Sequence, residues 1–471
     1  MKKLRSCLAF GAALLMMSGL LLPVAANSAQ SYWKGTDATG AIVTDNDCPI
    51  VVEHELLTFD VQDFPEPHYT SAEAFLAYPG KVTAEYSFYN PADYSVTATL
   101  RFPFGVLPDY AVTYYESKQK RCDDTAKYEI SVNGEVIEKT LRHSSHPQFS
   151  GQFDLYTDMG KLYDSYIEDE FYHPDLPVTK FTFLASGVDE ERYPAADGAL
   201  YLTADETKTK VLMENLGGGD GTNEDYSIIK TWVDEEKPFS VYVMGEVPQD
   251  FPQWKFYSDG SAETEIEGRM ELLSSETMTM KDLALLKMEA DSPVLEHDWY
   301  NAVIAMLKNR EWSHGAIDCD AMHELDVSYD LMRWYEYEIT LAPGERLVNT
   351  VTAPIYPDVN TGYKPPVYRY GYLLSPAKTW ADFGTLDVVI NTSAEIRESA
   401  PKGYEREESS YKLSLDGLPD GELTFSLCNK RNPSNMSSYG SGFFKFVLVV
   451  IAGFVGLAWL FMHFANRRNM R

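Results

Sequence analysis

The chain has 471 residues, of which 71 are acidic and 40 basic, giving a formal net charge of -31 at pH 7. So acidic a body repels nucleic acid and anionic lipid surfaces, which excludes a nucleic-acid partner, and it attracts cations and basic partners while staying soluble. The length exceeds one ordinary domain.

In chain order, residues 1–26 place Lys2, Lys3 and Arg5 ahead of an apolar run that ends in Val24, Ala25 and Ala26, the pattern of a secretory signal peptide. In an oxidising compartment Cys48, Cys122, Cys319 and Cys428 are free to pair as disulfides, and the sequence leaves their connectivity open. None lies in a CxxC pair, which argues against zinc or thiol-redox chemistry.

An N-terminal β domain is expected over 31–150. In "KVTAEYSFYNPADYSVTATLRFPF", Val82, Ala84, Tyr86 and Phe88 alternate with polar residues, residues 90–93 supply turn chemistry, and Val96, Ala98, Leu100 and Phe102 alternate again. This spacing predicts a hairpin with one apolar face. In "YEISVNGEVIEKT", Asn133 and Gly134 suit the positive φ of a type I′ turn and predict a second hairpin.

Residues 151–345 are expected to form an α+β middle region. Thr279 with Asp282 forms a capping-box pattern for a short helix. Further on, Ser292 as cap, Pro293 at the first helical position and the spacing of Trp299, Val303, Met306 and Leu307 predict a helix over 293–309. Period-two patterns return in "WYEYEITL", "TLDVVIN", "YKLSL" and "ELTFSL", the last three belonging to a C-terminal β region at 346–428. A Gly/Ser-rich stalk is expected at 429–442. Beyond it, the run from Phe446 to Phe464 has no acidic or basic residue except His463 and extends roughly 28 Å as a helix, enough to cross a bilayer. The sequence thus predicts a transmembrane helix at 443–465 and a tail at 466–471 whose arginines stay in the cytoplasm. The expected fold class is mainly β: a multidomain, β-sandwich-like ectodomain with a small central helical region and one C-terminal transmembrane helix. The expected localisation is the cell membrane, single-pass, with the ectodomain outside.

Two clusters attract a metal reading. The loop "GGGDGTNEDY" offers Asp220, Asn223, Glu224 and Asp225 as oxygen ligands for calcium, although its spacing is not that of an EF-hand. In "SHGAIDCDAMHELD", His314 and His323 are candidate zinc ligands. His323 and Glu324 begin an HExxH pattern, but Val327 stands where its second histidine belongs. The plainer reading of both is a solvated loop or turn. Tyr363, Tyr368, Tyr370 and Tyr372 fit either an aromatic platform or half-buried strands. No GxSxG elbow, Walker loop or dinucleotide fingerprint occurs, and paired catalytic carboxylates are not recognisable by spacing, so no catalytic residue is assigned.

The segment "VTAEYSFYNPADYSVTATLRFPF" resembles the β-hairpin of VIT-type domains. The segment "YRYGYLLSPAKTWADFGTLDVVINTS", with Tyr372, Leu374, Trp380 and the alternation Leu386, Val388, Ile390, is similar to one in uncharacterised exported bacterial proteins with a terminal membrane span. The resemblance implies a β-rich ectodomain and transfers no reaction. The expected function is non-catalytic binding or cell-envelope structure, with an envelope glycan or protein as partner and no cofactor apart from calcium. The rivals are an exported hydrolase of wall glycan or peptide and an accessory subunit of a membrane complex.

Overall fold

The structure, a computed structural model, describes residues 32–435 except 34–37, 40, 45–46, 68, 70, 106, 112–123, 146–159, 215–220, 319 and 328–330. Its class is mainly β, arranged in several sheets.

An eight-stranded sheet interleaves strands from distant parts of the chain. Its centre runs Ser410–Asp416, Phe383–Asn391, Val51–Asp60, Lys81–Tyr89 and Arg346–Pro354. Strands 383–391 and 51–60 lie parallel, with Leu386 opposite Glu55 and Ile390 opposite Phe59. Strand 51–60 carries a bulge at Glu53, where the pairing shifts between Val52 and His54. The extra residue resets the pleat, so that Val52 and then Glu55, Leu57 and Phe59 all point inward. A six-stranded sheet containing Val367–Leu373 and Leu423–Cys428, and a four-stranded sheet containing Val96–Gly105 and Leu331–Leu341, supply the rest of one large core.

The segment predicted as a hairpin at 81–105 is different in the structure. Strand 81–89 pairs with 51–60 and 346–354, whereas 96–105 pairs with 331–341 in another sheet. The intervening turn is an arch that crosses between sheets, stacked on a matching arch at 342–345. Alternation marks a strand's buried face but not its partner, so both topologies give the same pattern. Asn90 fastens the two arches. Its Nδ2 donates to the carbonyls of Tyr94, Leu341 and Ala342 at 2.9–3.1 Å, and its Oδ1 accepts from the Ala92 amide. Asn90→Ala is expected to cost about 1–3 kcal/mol, because buried carbonyls lose their donor; urea unfolding measures it. The second hairpin forms as expected, with Asn133 at φ 51° and Gly134 at φ 83° between strands Glu129–Val132 and Glu135–Val136.

The middle of the chain builds three layers. A five-stranded sheet packs on a second four-stranded sheet, whose other face carries the helices Met280–Ala284, Glu296–Asn309 and Ala321–Glu324. Strands Thr209–Met213 and Phe239–Gly245 are therefore buried on both faces. Val211, Val241 and Val243 face the five-stranded sheet, while Leu212, Tyr242 and Met244 face Trp299, Val303 and Leu307. The Thr279–Asp282 capping box is present. The longer helix begins at Glu296, not 293: Leu295 is still extended, and Ser292 Oγ accepts from the Val294 amide, so this serine closes the preceding turn.

Among the described residues no helix is long and apolar enough to cross a membrane. The longest, Glu296–Asn309, has 14 residues and belongs to a core. The signal peptide at 1–26, the stretch 443–465 expected to span and the tail at 466–471 lie outside the described residues. The expectation of a C-terminal transmembrane helix is accordingly corrected: the described residues contain no such helix, and they give no support to the single-pass membrane localisation that depended on it.

Candidate binding face

Within the five-stranded sheet, Leu200, Leu202, Ile229 and Phe256 point into the cores. The pleat therefore turns the alternate residues of strands Asp197–Leu202, Ser227–Trp232 and Gln253–Tyr257 outward. Pairing registers fix this face in three rows. Asp197 lies between Trp232 and Tyr257, Ala199 between Lys230 and Lys255, and Tyr201 between Ile228 and Gln253. The outer rows are about 13 Å apart along the strands, at 3.3 Å per residue.

On this face Trp232 is exposed and Tyr201 and Tyr226 are half-buried, while Asp197, Ala199 and Tyr257 are buried. Trp232 is 48% exposed, an unusual position for the largest apolar side chain. At the other end Tyr201 meets Tyr226 with ring centroids 5.1 Å apart, and its hydroxyl shares a 2.6 Å hydrogen bond with Tyr257 across the central row. Burial, followed by that bond, pushes the Tyr201 phenol up to about 12, so it remains a neutral hydrogen-bonding group at physiological pH. Lys255 Nζ lies 5.5 Å from the Tyr201 ring centre and 3.3 Å from Glu265, while Lys230 Nζ donates to the Gly260 carbonyl at 2.7 Å. The lysines are thus held by the protein, and the face offers flat rings bordered by anchored polar groups.

The residues singled out in the sequence fall elsewhere. Asp220 lies outside the described residues. Asn223 Oδ1 accepts from the amides of Asp225 and Tyr226 at 2.8 and 2.9 Å, which closes the turn of a hairpin whose strands are Gly221–Thr222 and Ser227–Trp232. Glu224 and Asp225 are exposed on that turn. His314 Nε2 donates to the Asn223 carbonyl at 3.2 Å, so the structure brings His314 to the acidic loop, while His323 is exposed on a one-turn helix. Asp318 and Glu324 are both held by Arg310. The glycine after His314 has a backbone role: Gly315 has φ 77°, and a Cβ there would lie 2.4 Å from the Thr209 carbonyl. Among the described residues no group of three or more His, Cys, Asp and Glu side chains is placed to share a metal ion. Tyr368, Tyr370 and Tyr372 belong to the large core, not to an exposed platform. Cys48 and Cys428 are buried, and Cys122 and Cys319 lie outside the described residues.

An open crevice of about 490 Å³ lies beside the 407–410 turn, lined by Asn391, Glu407, Glu408, Ser409 and Ser410. The one carboxyl that burial raises among the described residues, Glu55, is sealed between sheets and cannot meet a substrate.

No family model matches the chain, and no curated protein does. Similar solved structures include a Legionella pneumophila protein with a proposed nutrient-binding role, at 9% identity and a TM-score of 0.33, over 84% of this chain and 72% of that one.

Proposed function

We propose that the protein is a non-catalytic binding protein that takes oligosaccharides on the outer face of its five-stranded sheet. The observation that carries this reading is Trp232, exposed on the same sheet face as Tyr201 and Tyr226. Aromatic rings stack on the C–H faces of sugars, while their polar edges and the neighbouring Gln253 and Lys255 supply hydrogen bonds. Nucleic-acid bases stack on such rings too, but the net charge of -31 opposes a phosphate backbone. The known requirement of a hydrolase, two carboxyls converging on a cleft, has no counterpart on this face.

Tryptophan fluorescence titrated with glucan and N-acetylhexosamine oligomers tests the reading. The expected result is a saturable change with at least one of these oligomer series, weakened about 10-fold or more by Trp232→Ala, as for an aromatic anchor, without release of shortened products. A response that survives Trp232→Ala unchanged, or progressive cleavage of the oligomer, would refute it.

A further inference from the structure

A carboxyl occupies the middle of the large core. Glu55 is 1% exposed and lies in a row across three strands, opposite Tyr86, which is in turn opposite Asn349. All three side chains point into the core from the eight-stranded sheet. From the facing sheet, the Tyr372 hydroxyl donates to Glu55 Oε1 at 3.2 Å and shares a second 3.2 Å bond with the Tyr86 hydroxyl. Glu55 Oε2 has no protein partner.

Among the described residues no cation pairs with Glu55. Strand 81–89 presents Tyr86 and strand 367–373 presents Tyr372 and Tyr370, the latter bonded to Tyr78. Strand 331–341 presents Tyr337, which accepts from Asn349 of strand 346–354. Strand 383–391 sets Leu386 opposite Glu55, strand 423–428 sets Leu423 opposite Tyr372, Ala38 pairs with Tyr372, and the Ala41 amide donates to the Tyr86 hydroxyl, all within the large apolar core. The neighbouring charges in sequence face the other way: Glu53 pairs with Arg346 and His54 with Asp387 on the outer side of the sheet.

We infer that Glu55 is a proton-operated lock on the large core: the sheets close tightly while this carboxyl carries its proton, and the packing loosens when the proton leaves. A buried carboxylate facing only phenols and hydrocarbon loses most of its hydration without a counter-charge in return. Desolvation outweighs the hydrogen bonds from Tyr86 and Tyr372 and raises this carboxyl from 4.5 to about 7. Below about pH 4.5 folded and unfolded chains both hold the proton. Between there and about pH 7 only the folded chain holds it, so stability falls as the pH rises and levels off above 7.

The test is the folding constant from urea unfolding between pH 5 and 8, for the wild type and Glu55→Gln. Other acids titrate equally in both, so their ratio isolates Glu55. The wild type is expected to lose on the order of 100-fold relative to Glu55→Gln across that range. A constant ratio overturns the inference. Should Glu55→Gln fail to fold, infrared spectra of the wild type decide the matter. A protonated-carboxyl stretch that persists at pH 6 and disappears by pH 8 supports the lock, and its absence at pH 6 overturns it.

Discussion

Replacing Arg142 with alanine is expected to lower the unfolding free energy by about 3–5 kcal/mol, the loss typical when a buried ion pair is broken by removing one partner. Arg142 sits on strand Thr140–Ser145 and is almost fully buried, as is Asp298 on the helix Glu296–Asn309. Its Nε and Nη2 donate to the two oxygens of Asp298, each at 3.2 Å, and Nη2 also donates to the Tyr163 carbonyl at 2.6 Å. Asp298 accepts from the His143 amide as well. Glu336, which Arg142 touches at 3.4 Å, retains Arg101 at 2.7 Å in the variant, whereas Asp298 keeps only the His143 amide and His297 Nε2 at 3.4 Å. The double replacement Arg142→Met with Asp298→Leu is expected to recover most of the loss, since no buried charge is then unpaired. Urea unfolding of the two singles and the double gives the coupling directly. If Arg142→Ala alone costs less than about 1 kcal/mol, the network is not a structural tie between the sheets and the helical layer.

Trp299→Ala is expected to cost a similar 3–5 kcal/mol through cavity formation. Trp299 is buried among the helices and the four-stranded sheet beneath them, and its Nε1 donates to the Ala284 carbonyl at 3.0 Å. The variant loses both the ring and the bond that pins the shorter helix to the longer one. Amide exchange separates this damage from general unfolding. Protection should fall across 296–309, 209–213 and 239–245, whose side chains share that core, while strands 51–60 and 383–391 of the large core stay protected. Equal loss in both sets would mean that the two cores unfold as one unit.

The strands that were legible in the sequence are those with one wet face. Val82 to Phe88, Val96 to Phe102 and Leu423 to Leu427 all alternate and all bury the expected residues. Asn133–Gly134 announced its turn because few other residue pairs accept two positive φ angles in succession. Strands 209–213 and 239–245 gave no such signal, because a helical layer covers one side and another sheet the other, leaving no polar alternate positions. Long-range pairing was equally invisible: nothing local in "VVEHELLTFD" indicates that it lies parallel to a strand more than three hundred residues later. For the candidate site, "DGALYL" and "SIIKTW" did contain outward Tyr201 and Trp232 at alternate positions. The histidines and acids are the more conspicuous residues, but Asn223 closes a turn, His314 bonds to its carbonyl, and Arg310 holds Asp318 and Glu324.

Hydrogen exchange with and without a bound oligosaccharide examines the binding face most directly. With whichever glucan or N-acetylhexosamine oligomer the fluorescence titration selects, added protection is expected in strands 197–202, 227–232 and 253–257 and the adjoining Tyr226 turn, with the ligand recovered intact. Protection centred on the 407–410 crevice, or a ligand cut during the experiment, would contradict a non-catalytic site built around Trp232 and Tyr201.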